Sequence, residues 1–82
     1  MNEQNVKIGD LIESDEFYFV VNKIEYDEEL KQHIYISKKF ANVSLIETKK
    51  EYAVYEMDIT SIYRKDEFGN FKLIWKSLMK RG

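Results

Sequence analysis

Short blocks in which side chains alternate with a period of two recur along this chain, built from β-branched and aromatic residues, with almost no helical pattern between them. Successive side chains of a pleated strand point to opposite faces, so this period constrains the fold more than any other property of the sequence. The final block is the clearest. Residues 59–64 (ITSIYR) and 71–76 (FKLIWK) flank KDEFGN, where Gly69 and Asn70 supply the positive φ of a hairpin turn.

Residues 17–26 (FYFVVNKIEY) predict a long strand, with Phe17, Phe19 and Val21 on one face and Tyr18 and Val20 on the other. Both faces are apolar at its start, which predicts a central or strongly curved strand. Residues 6–13 (VKIGDLIE) begin with alternation that Gly9-Asp10 interrupts, the pattern of a bulge or a close backbone approach. A turn is expected at Ser14-Asp15-Glu16, and an acidic hairpin loop at 26–32 (YDEELKQ). Further strands are expected over 33–38 and 52–57, joined through 40–46, which fits a short strand or a single helical turn, and a charged turn at 47–51. Leu78 and Met79 have spacings that also suit a short helix.

These blocks predict an all-β fold, a small antiparallel meander of five or six strands closed into a barrel or folded sandwich, with an SH3-like barrel favoured. Proline is absent and glycine occurs three times, so there is no linker and no low-complexity segment. The 82 residues are expected to form a single domain, 1–82, frayed over about 1–5 and 77–82. Without cysteine there is no disulfide to staple a small core, and burial must come largely from the twelve aromatic residues. A homo-oligomer would add burial. No apolar run approaches the ~20 residues of a membrane span, and the polar 1–5 segment lacks the apolar stretch of a secretory signal. A cytoplasmic protein with no membrane association is expected.

Charge divides along the chain. Through Leu30 nine acids face two bases, a net of −7, and from Lys31 onward eleven bases face six acids, a net of +5. Such a chain can bind itself head to tail, offer its basic part to an anion, or offer its acidic part to a basic partner.

Catalytic constellations are missing. His33 is the only histidine and has no cysteine to join it, so it reads as a surface residue at a strand start. Asp27, Glu28 and Glu29 lack the spacing of a calcium loop and read, with Asp15 and Glu16, as solvated loop acids forming an acidic face. There is no phosphate-binding glycine loop, no serine elbow and no cysteine nucleophile. The expectation is a non-enzyme with no metal and no cofactor.

Bases and aromatics interleave in the second part. Tyr35 stands near Lys38 and Lys39, and Tyr63 beside Arg64 and Lys65, types that single-strand-binding barrels combine. Against this, a domain this small needs most of its aromatics inside, and nucleic-acid binders are usually net basic. These six residues remain the candidate set for the alternative of single-stranded nucleic-acid binding. The tail 76–82 carries three bases and two apolar residues, a segment that either docks on a partner or is solvated.

The Gly9-Asp10 entry to an aromatic strand and the closing DEFGNFKLIW stretch (66–75) resemble short proteins of phages and mobile elements in low-GC Gram-positive bacteria. The resemblance implies a small cytoplasmic accessory factor that acts by binding a host or element protein. The leading expectation is therefore a protein-interaction or regulatory module, working through a strand edge or a charged face. A third reading has the acidic head imitate nucleic acid and block a basic host protein.

Overall fold

In a computed structural model, which describes residues 5–40 and 50–77, the alternating blocks form six strands and one 3-10 turn. These are β1 (Leu11–Ser14), β2 (Phe17–Asp27), β3 (Gln32–Lys39), β4 (Glu51–Tyr55), the 3-10 turn Glu56–Asp58, β5 (Ser61–Lys65) and β6 (Phe71–Lys76). Every neighbouring pair is antiparallel, in the order β4-β3-β2-β1-β5-β6. The all-β antiparallel sheet expected from the alternation is present. β1 to β4 run as a meander, and the chain then crosses through the 3-10 turn to set β5 against the free side of β1. Among the described residues the sheet does not close into a barrel: β4 and β6 are its two edges.

Two bulges shape it. In β2, Val21 pairs with Ser37 and Lys23 with Ile36, so Asn22 is an extra residue. Because side chains alternate, one added residue reverses which parity faces the core. Phe19 and Val21 point inward before the bulge and Ile24 packs on the core after it. A second bulge leaves Ile74 unpaired between Leu73, opposite Tyr63, and Trp75, opposite Ile62.

Trp75, Ile62, Ile12 and Phe19 form one inward ladder across β6, β5, β1 and β2. Ile24, Tyr35 and Val54 form another across β2, β3 and β4. Both ladders belong to a single core cluster, which Val6 and Ile59 complete, so the long bulged β2 bends the sheet onto itself. This explains how the described strands, with no α-helix among the described residues, exclude water from Ile12 and Ile62.

The turns use polar side chains where glycine is scarce. Asp15 and Glu16 alone join β1 to β2, both with positive φ (53° and 68°), the primed turn that suits strand twist. The Asp27 carboxylate accepts the Glu29 and Leu30 amides in the β2–β3 turn. Asp66 accepts the Phe68 and Asn70 amides, and these bonds, the Asn70 amide foremost, hold its carboxyl below the ordinary 3.8. Gly69 takes φ 83° in the same turn. Residues 6–10 form a loop rather than the start of a strand: Gly9 turns the chain at φ 95° and its amide reaches the Val21 carbonyl at 2.9 Å. Asn5 and Ser77, at the inner limits of the segments expected to fray, are both tied down. The Asn5 carbonyl accepts from Arg64, and the Ser77 amide donates to the Thr60 carbonyl. Most of the 40–46 junction and the Leu78-Met79 stretch lie outside the described residues.

Candidate functional site

The face of the sheet opposite the core carries a second apolar row. Leu73, Tyr63, Leu11 and Val20 stand in register across β6, β5, β1 and β2. Leu11 is only 8% exposed although it lies outside the core cluster, so its neighbours on this outer face cover it. Tyr18 packs edge-on against Tyr63 with ring centroids 6.1 Å apart, and Phe40 against Phe71 at 6.4 Å. The Tyr18 phenol titrates above 10.0, chiefly because the Glu13 carboxylate across the ladder disfavours the phenolate, and then because Tyr63 stands beside it. Leu73 remains 50% exposed and the bulged Ile74 44%. Both belong to β6, an edge strand whose outer backbone groups have no strand partner among the described residues.

The six residues of the basic and aromatic candidate set do not share one surface. Lys38 and Tyr63 lie on the outer face, opposite Val20 and Leu11, and Lys65 joins them with its ammonium 5.4 Å from the Phe71 ring centroid. Lys39 lies on the other side, paired with Phe19 and stacked 3.7 Å from the centre of the Phe17 ring. Tyr35 is 2% exposed, inside the core, where burial first and the Glu56 charge second push its phenol up to about 12. A tyrosine so placed has no face to offer a base.

Arg64 is occupied within the chain. Its Nε and Nη2 donate to Asp10 at 3.0 and 2.9 Å, and Nη2 also donates to the Asn5 carbonyl. The Asp10 bond holds the guanidinium above its usual pKa. Asp10 is 3% exposed and also accepts the Lys7 amide at 2.8 Å. Lys7 thereby lines a shallow pocket with Arg64 and Lys65. Sequence spacing gave no sign of this, because β5 reaches the 5–10 loop only through its pairing with β1.

The five acids also separate. Asp15 and Glu16 form the turn before β2, and Glu28 and Glu29 the turn after it, with Asp27 spent on capping that turn. Eleven residues of β2 stand between the turns, a contour of about 36 Å at ~3.3 Å per residue. His33 is a latch: its amide and Nδ1 both meet Glu56 Oε1, at 2.9 and 3.2 Å, while Gln32 holds the Met57 amide, fastening the 3-10 turn to β3. Among the described residues no cluster of three or more His, Asp or Glu is arranged to hold a metal, and no helix is long and apolar enough to cross a membrane.

No family model matches the chain, and neither a curated protein nor a solved structure matches it.

Proposed function

We propose that this protein is a non-enzymatic protein-interaction module that receives its partner on the outer face and along the β6 edge. The observation that carries the reading is the row Leu73, Tyr63, Val20, flanked by Tyr18, Phe40 and Phe71, which ends at a strand that is an edge among the described residues. An apolar and aromatic row leading to unpaired backbone groups suits a partner that adds an extended segment to the sheet. Main-chain bonds then give affinity and alternate side chains give specificity. A second copy pairing β6 to β6 is the homo-oligomeric form of the same contact. In the setting implied by the phage and mobile-element resemblance, the partner is a host or element protein met in the cytoplasm. The finer SH3-like description draws support from β5 lying beside β1 and from the 3-10 turn joining β4 to β5.

The test is a photo-crosslinking residue at Ile74, with a control at the exposed Glu25 on β2. Discrete adducts at position 74, absent at position 25 and lost on adding Leu73→Asp, are expected. Identical adducts at both positions, or none at either, would refute the reading. Single-stranded nucleic acid is the second reading, favoured by Lys38 and Lys65 beside Tyr18, Tyr63 and Phe71 on that face. It predicts oligonucleotide binding that weakens steeply with salt and is lost on reversing Lys38 and Lys65. The acidic-mimic reading gains nothing from acids that are split between the two ends of β2.

A further inference from the structure

At the end of the sheet where β1 turns into β2, a cavity of about 480 Å³ opens between that turn, the 3-10 turn with the Ile59-Thr60 segment after it, and Ser77 just beyond β6. Its wall has three chemical parts. Asp15 and Asp58 supply two carboxylates, neither with an ion-pair or hydrogen-bond partner among the described residues. Met57 and Ile59 supply apolar surface, Met57 being 74% exposed. Ser14, Thr60 and Ser77 supply hydroxyls.

Ser14 distinguishes this cavity from an ordinary acidic loop. It is 8% exposed, and its hydroxyl has no hydrogen-bond partner among the described residues, whereas the buried Ser37 and Ser61 hydroxyls donate to the Tyr35 carbonyl and the Glu13 carboxylate. A buried polar group without a partner is costly, and one that lines an open cavity is satisfied by whatever enters it. Among the described residues no lysine or arginine lines the wall, and its two charged groups are both carboxylates.

We propose that this cavity binds an arginine side chain of a protein partner. The guanidinium carries a fixed charge and five donors in a plane, more than an ammonium can direct at acceptors spread over separate segments. Two carboxylates and the Ser14 oxygen accept those donors, and the arginine stem lies along Met57 and Ile59. The inference rests on the protein-interaction reading above, and adds a chemical requirement on the partner at a site distinct from the outer face.

The test uses the full 82-residue chain and a blocked Gly-Arg-Gly tripeptide followed by amide NMR, with the citrulline tripeptide as the uncharged isostere. Saturable shifts at Ser14, Asp15, Asp58, Ile59 and Thr60 are expected. Binding weakens by at least about tenfold with citrulline, and likewise in Asp15→Asn and Asp58→Asn, as removing a charged hydrogen bond requires. Both acids are exposed, so those variants keep the wild-type fold and spectrum elsewhere. Shifts absent at about 10 mM peptide, centred on other residues, or equal with citrulline would overturn the proposal. Leu73→Asp must bind the arginine peptide like wild type; its loss of binding would also overturn it. Failure of the Ile74 crosslinks alongside retained arginine binding would reject the outer face alone.

Discussion

Replacing Arg64 with methionine should destabilise the fold more than any other loss of a single surface charge in this chain. Asp10 is the reason. Its carboxylate is 3% exposed and takes three hydrogen bonds, from Arg64 Nε, Arg64 Nη2 and the Lys7 amide. Arg64→Met leaves the Lys7 bond and an uncompensated buried charge. Breaking a fully buried pair costs about 3–5 kcal/mol. Here a third of the Arg64 side chain is exposed, so solvent screening lowers the expected cost to about 2–3 kcal/mol. A domain of this size has roughly 4–12 kcal/mol in total, which makes that loss large. Asp10→Asn is milder, about 1 kcal/mol, because Arg64 keeps access to water while the amide oxygen still accepts from Lys7. Urea unfolding of wild type, both single variants and the double variant gives the coupling directly. The double variant should be more stable than the sum of the two single losses allows. A cost for Arg64→Met under about 1 kcal/mol, or one that vanishes at about 1 M salt, where screening acts over only ~3 Å, would refute a buried-charge origin.

Two further outcomes follow from local geometry. Tyr35 has its pKa raised from 10.0 to about 12 by burial; the folded state therefore holds this proton more tightly than the unfolded chain, and the contribution is complete below pH 10 and lost as pH rises to 12. Relative to Tyr35→Phe, wild type should lose about 2–3 kcal/mol across that interval in urea titrations, and parallel curves for the two proteins would contradict the assignment. Glu16, at φ 68° in the two-residue β1–β2 turn, bears the αL strain of an L-residue. Glu16→Gly should raise stability by about 0.5–1 kcal/mol once the added flexibility of the unfolded chain is subtracted, read as a rise of a few degrees in Tm; a fall would show that the turn is not strained.

The strands were legible in the sequence because alternation survives wherever one face is buried. β6 coincides with its expected block, and β2 and β3 differ from theirs by a residue or two at the ends. What alternation could not show is where parity changes. Asn22 and Ile74 are single added residues whose bulging depends on the partner strand, so reading Trp75 as inward and Leu73 as outward required the pairing itself. The loop at 6–10 was misleading for a different reason. Val6 and Ile8 alternate like a strand, yet the Gly9 turn buries Val6 and leaves Ile8 66% exposed.

The charge split shows why the proposed interaction surfaces resisted prediction from sequence. Acidic and basic parts defined by position in the chain need not be acidic and basic parts in space, and the strand order decides. Returning β5 to the side of β1 brings Arg64 onto Asp10 across 54 positions, joining a base of the second part to an acid of the first inside one molecule. The pairing of β2 with β3 then puts Lys38 opposite Val20, and the length of β2 holds the acidic turns apart. A head-to-tail assembly driven by the split would need two opposed fields, and this topology cancels part of one against part of the other. Among the described residues the charge is then distributed locally: a carboxylate pair lies beside Ser14 at one end, the Glu28-Glu29 turn lies at the other end of β2, and a few lysines border the outer apolar face. On the two proposals made above, recognition by this fold depends on shape and particular groups at the cavity and the outer face. Raising ionic strength should weaken arginine binding at the cavity while leaving the Ile74 crosslinks in place.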